Sequence, residues 1–127
     1  MNNYNKLVLF AILTIILINI YGHTLSYLKI SPHDDPLKYN LFDNNMDLNG
    51  WSVTHFIVFT LAGYYYPNEV MFSLIIGISW EIIEECIVFF NNKLTDNYID
   101  WWRGKYSDII VNFLGLLTGK YIIRKYI

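Results

Sequence analysis

Apolar and polar positions alternate along this chain in long blocks, giving four apolar segments divided by polar stretches. Leu7 to Leu28 contains no Asp, Glu, Lys or Arg over 22 residues, and that length spans a bilayer. Lys6 in front, with Thr24 and Ser26 beyond, also suits a cleaved signal peptide, although the apolar run outlasts a signal core and no Ala-x-Ala follows. A second uncharged window covers Leu48 to Asn68, with Ser52 as a helix cap, His55 in the first turn and Pro67 as the stop. The third, Val70 to Phe90, is apolar except for Glu81, Glu84 and Glu85, and the fourth runs from about Ser107 to Ile123. The pattern predicts helices over about 7–27, 52–66, 70–90 and 107–123.

The connections set the topology. Only Pro67-Asn68 joins the second and third helices, so these form an antiparallel hairpin. The first loop, from about His23 to Trp51, holds Pro32, Pro36 and several aspartates, and its Asn49-Gly50 reads as a turn. The loop from Asn91 to Tyr106 holds Asp96, Asp100, Trp101, Trp102, Arg103 and Lys105. Four spans would put these two loops on one side, and both termini with the 67–69 corner on the other. Trp51, Trp101 and Trp102 would then share one interface, opposite Tyr64, Tyr65, Tyr66, Tyr121 and Tyr126. Lys and Arg number four on the terminal side and five on the loop side, which leaves the orientation open.

Composition narrows the class. Hydrophobic residues make up 54% of the 127-residue chain and charged residues 16%, well under the roughly 25% of soluble domains. This excludes disorder, and a net charge of -2 gives nucleic-acid binding no electrostatic footing. Cys86 is the only cysteine, so no disulfide forms within one chain, and no activating base stands beside it in the sequence. The expected fold is therefore all-α: an integral membrane bundle of four transmembrane helices, three if the first is a cleaved signal, forming a single domain over residues 1–127.

Against that background the polar residues inside the helices stand out. Glu81, Glu84 and Glu85 at i, i+3 and i+4 share one sector of the third helix, and each ionisable group near a bilayer centre costs about 2.5 to 3.5 kcal/mol on insertion scales. Such groups turn toward partners or water. Asp108, Asn112, Gly115 and Gly119 form a stripe on the fourth helix, whose G-x-x-x-G end allows close backbone approach, and Gly63 and Gly77 suit helix packing too. Chain direction brings His55, Glu81, Glu84, Glu85, Arg103, Asp108 and Asn112 to one membrane face. The bland alternatives are a solvated helix end for the glutamates, an interfacial anchor for Arg103, and a helix cap for Asp108.

The motifs Ser52-Val-Thr-His55, Trp80-Glu81-Ile-Ile-Glu84, and Arg103 followed by Ser107-Asp108-x-x-x-Asn112-x-x-Gly115-x-x-x-Gly119 resemble the VanZ-like family over roughly Ser52 to Gly119. Trp51-Ser52 replaces the Asp-Lys pair common before the family's His, and Glu84 stands where a Gln is usual. The resemblance implies a small multi-pass membrane protein and no established activity.

Two functions fit these residues. The first is a non-catalytic bundle whose buried polar cluster in one leaflet supports interaction with other envelope or membrane components. The second is a membrane-embedded enzyme or binding site for an amphipathic or lipid-linked head group. There His55, Glu81, Glu84 and Asp108 would be the candidate catalytic set, with Glu85, Arg103 and Asn112 binding. No metal or cofactor is expected, because no metal-spacing motif is present. The ligand set, one His with carboxylates, suits Mg²⁺ or Mn²⁺ better than tetrahedral zinc. The expected partners are the lipid bilayer, such an amphipathic ligand, and a second copy or another membrane protein, with no nucleic acid.

Overall fold

The computed structural model describes residues 2–31, 34–41, 48–94 and 104–127, with the backbone alone described for 91–94. Arg103, Trp101, Trp102 and His33 lie outside the described residues. The regular structure among the described residues is helical: α1 (Asn3–Tyr27), a 3-10 turn (Pro36–Lys38), α2 (Gly50–Tyr65), α3 (Val70–Leu94) and α4 (Tyr106–Leu117). An isolated antiparallel bridge pairs Asn40 with Asn49.

The helix boundaries follow capping chemistry that the apolar pattern does not reveal. α1 begins a turn earlier than the apolar run because Asn2 accepts from the Asn5 amide at 2.9 Å. It extends through His23, which is an exposed helix residue and not part of the loop. Lys29, at φ 58°, is the left-handed residue that ends it. Asn49, not Ser52, caps α2: its side-chain oxygen accepts from the Trp51 and Ser52 amides at 3.0 and 3.2 Å. Asn49-Gly50 is therefore a helix start and not a turn. Tyr66 closes α2 by donating its amide to Ala62 O, and the Glu69 amide bonds Tyr66 O across the corner into α3. α4 has no side-chain cap, and its helix continues as a π-helix over Thr118–Ile123 and a last α turn, Arg124–Tyr126.

α2 and α4 make the closest approach. A Cβ on Gly115 would stand 2.7 Å from Phe56 O, and Cβ atoms on Gly63 and Gly119 would collide with the carbonyl oxygens of Leu116 and Thr60. Gly77 of α3 is buried against the Phe59 ring and the Asn112 amide. α1 attaches by rings at one end, with Tyr4 edge-on to Phe72 and Phe10 tilted against Tyr66. At its other end Asp35 takes over. This carboxylate is 1% exposed and accepts from Tyr21 OH at 2.7 Å, Leu37 N at 2.9 Å and Trp51 Nε1 at 2.9 Å, joining α1, the loop and α2. Trp51 thus points its indole N–H at a buried acid.

The deepest positions are rich in polar side chains and the outer faces in apolar ones. Among the described residues the buried hydrophobic side chains are Leu7, Leu25, Ala62 and Leu116, whereas Asp35, Asn49, Ser52, Thr60, Ser73, Glu81, Glu84, Asp108 and Asn112 are buried polar ones. Exposed apolar side chains line every helix, including Ile12 and Leu13 on α1, Val53 and Ile57 on α2, Ile75 and Ile82 on α3, and Ile110 and Phe113 on α4. By length and composition α1 is the described helix able to cross a membrane. α2 has 16 residues, α4 has 12 before its π-helical extension, and α3, at 25, is interrupted by its glutamates.

Candidate functional site

The polar cluster is assembled from three helices and the residues that lead into α4. α2 contributes Ser52 and His55, one turn apart and so on the same face. α3 contributes Glu81 and Glu84, and α4 contributes Asp108 and Asn112, again four residues apart. Ser52, Glu81, Glu84, Asp108 and Asn112 are all buried, and Asn112 is wholly so. They belong to one site.

Two hydrogen bonds cross from α2 to α4. Ser52 Oγ donates to Asp108 Oδ1 at 2.8 Å, and the His55 Nδ1–H donates to Asn112 Oδ1 at 2.9 Å. Ser52 is thus a ligand of Asp108 instead of a cap. Asp108 lies in the first turn of α4 and takes the hydroxyl of another helix, while its own amide bonds Lys105 O. Toward α3, His55 Nδ1 stands 3.7 Å from Glu81 Oε1, and the Lys105 amide donates to Glu81 Oε2 at 2.9 Å. Gly104 lies against the Glu81 carbonyl, so the chain entering α4 rests directly on α3.

Not every polar atom is partnered. Glu81 Oε1 and Asn112 Nδ2 are buried with no hydrogen-bond partner, although each residue bonds through its other terminal side-chain atom. A buried acceptor without a donor ordinarily costs about 1 to 3 kcal/mol, and more when charged. A donor atom from each of His55, Glu81 and Asp108 lies within 4.8 Å of the others. The geometry can do two things: accept a donor from a ligand at Glu81 Oε1, or surround a small cation.

Other residues singled out in the sequence are not among this buried set. Glu85 is exposed beside the cluster and makes no described hydrogen bond, with its methylene near Gly104. Cys86 is exposed. Arg103 lies outside the described residues. Ser52, Asn49 and Asp35 are the polar residues whose roles the sequence concealed. Of these, Ser52 had the only usable signal: it lies one turn before His55, on the face that carries the site. No protein-family model matches the chain, and no curated protein or solved structure does either.

Proposed function

We propose that the chain is a multi-pass integral membrane protein of the VanZ-like kind, in which the cluster is a membrane-embedded binding site for the polar head of an amphipathic or lipid-linked molecule. Glu81 Oε1 carries this reading: it is a buried acceptor that faces His55 and has no donor. A network serving only to set helix register would be expected to close on itself, since a half-satisfied polar network is worse for stability than an apolar one. The distribution of polar and apolar residues supports the membrane setting. Apolar side chains on the outer faces of all four helices suit lipid, which accepts no buried carboxylate face. In this site His55 or Glu81 exchanges the proton, and Asp108 and Asn112 orient the others.

The non-catalytic reading draws on a separate observation, the glycine-tight approach of α2 to α4 with its two cross-helix hydrogen bonds, which suits a rigid scaffold for partner proteins. One experiment separates the two. His55→Gln, Glu81→Gln, Glu84→Gln and Asp108→Asn are compared for unfolding in detergent and for the lipids that co-purify. The site reading expects at least a tenfold loss of a bound amphiphile in the His55 and Glu81 variants at unchanged stability. Lower stability with an unchanged lipid profile would overturn it in favour of the scaffold.

A further inference from the structure

We propose that His55, Glu81 and Asp108 form a divalent-cation site, of the oxygen-rich kind that suits Mg²⁺ or Mn²⁺. The inference rests on the binding-site reading for the head group that the ion would meet, but not for the ion itself. One imidazole and two carboxylates come from three different helices, and their donor atoms lie within 4.8 Å of one another. Around an ion with bonds of about 2.1 Å, ligands at right angles stand about 3 Å apart and opposite ligands about 4.2 Å apart. His55 Nδ1 and Glu81 Oε1 stand 3.7 Å apart, within that range, and ligation through Nδ1 requires the imidazole to give up its proton and its bond to Asn112 Oδ1. Small side-chain rotations close the remainder.

The unpartnered Glu81 oxygen is a second and independent indication. Glu81 is 4% exposed and its Oε2 is fixed by the Lys105 amide, which leaves Oε1 directed toward His55 with no donor to meet it. A cation supplies what that oxygen lacks. Charge agrees as well, because a neutral imidazole with two carboxylates carries two negative charges, the number a divalent ion cancels. Ser52 on Asp108 and the Lys105 amide on Glu81 hold the non-ligating oxygens, which is how outer-shell partners orient metal ligands.

Mixed nitrogen and oxygen donors with two carboxylates favour Mn²⁺ or Mg²⁺ over the sulfur- and imidazole-rich sets that select zinc. Three protein donors leave about three of six positions for water or ligand oxygen. The ion also decides which head groups the cluster can take. A cluster of bare carboxylates repels an anionic head group, whereas a cluster holding a divalent ion attracts one.

The test uses the full chain in nanodiscs of zwitterionic lipid, stripped with a chelator and titrated with Mn²⁺ under electron paramagnetic resonance. The expected result is one Mn²⁺ per chain with imidazole nitrogen modulation in the pulsed spectrum of the unsubstituted protein. His55→Gln should abolish that modulation, and Glu81→Gln and Asp108→Asn should each weaken binding at least tenfold. Glu69→Gln, at the corner between α2 and α3, should leave it unchanged. Binding weaker than about 1 mM, absence of the nitrogen modulation, or equal weakening by Glu69→Gln overturns the site. The modulation needs no variant, so a substitution that prevents folding does not block the test. Lipid retained by stripped protein that binds no Mn²⁺ removes the ion and keeps the head-group reading. Mn²⁺ bound by protein that retains no lipid supports the ion and removes the head group.

Discussion

Gly119→Ala and Gly22→Ala are the same chemical change in two helical contexts, and the structure assigns them opposite signs. In a helix interior the added methyl group is worth about 0.5 to 1 kcal/mol, because alanine loses less backbone freedom than glycine on folding. At Gly22 on α1 nothing lies within 4 Å of the new Cβ, so that gain should be realised in full. At Gly119 the new Cβ would overlap the Thr60 carbonyl oxygen and stand 2.7 Å from Tyr64 N and 3.0 Å from Thr60 C. These are backbone atoms of α2 and cannot rotate away. The helices must separate, and overpacking of this kind costs about 1 to 3 kcal/mol. The net expectation for Gly119→Ala is a loss of about 0.5 to 2 kcal/mol, against a gain of up to about 1 kcal/mol for Gly22→Ala. Reversible unfolding in mixed micelles, followed by circular dichroism, reads both. Equal shifts of the same sign would refute the α2–α4 contact as described.

Asp35→Ala leaves the Tyr21 hydroxyl, the Leu37 amide and the Trp51 indole without their acceptor, and should lower stability by about 2 to 3 kcal/mol in the same assay. An effect below about 0.5 kcal/mol would show that α1 is held by its ring contacts alone. In a Cys86→Ser background, Asp34→Cys and Asn68→Cys are exposed positions on the 31–41 side and at the α2–α3 corner. An impermeant thiol reagent should reach them from opposite faces of sealed vesicles, and labelling of both from one face would contradict the spanning arrangement.

His55, Glu81, Asp108 and Asn112 are legible in the sequence because a polar residue in an apolar run has no local use, and chain direction alone assigns it an end of the bundle. Their meeting, with His55 on Asn112 and near Glu81, follows from that placement. Gly115 and Gly119 were legible as a spacing, though not the α2 carbonyls they meet. Ser52 was misread because a serine just before an apolar helix normally caps it; here Asn49 had already done so. Asp35 and Asn49 sit in a polar loop, where one more Asp or Asn carries no periodic signal. The π-helical turn over Thr118–Ile123 shifts the hydrogen-bond partner by one residue without changing the apolar pattern, so hydropathy does not register it.

The two halves of the polar interior differ in when a growing chain can complete them. Asp35 finds Tyr21, Leu37 and Trp51 as soon as residues up to 51 have been made. Ser52, His55 and Glu81 must wait for Lys105, Asp108 and Asn112, about half the chain later for the first two. During synthesis, therefore, a histidine and a glutamate stand in the emerging bundle without the helix that receives them. A chain stopped before residue 104 would leave Ser52, His55 and Glu81 without the partners that α4 and the residues leading into it supply.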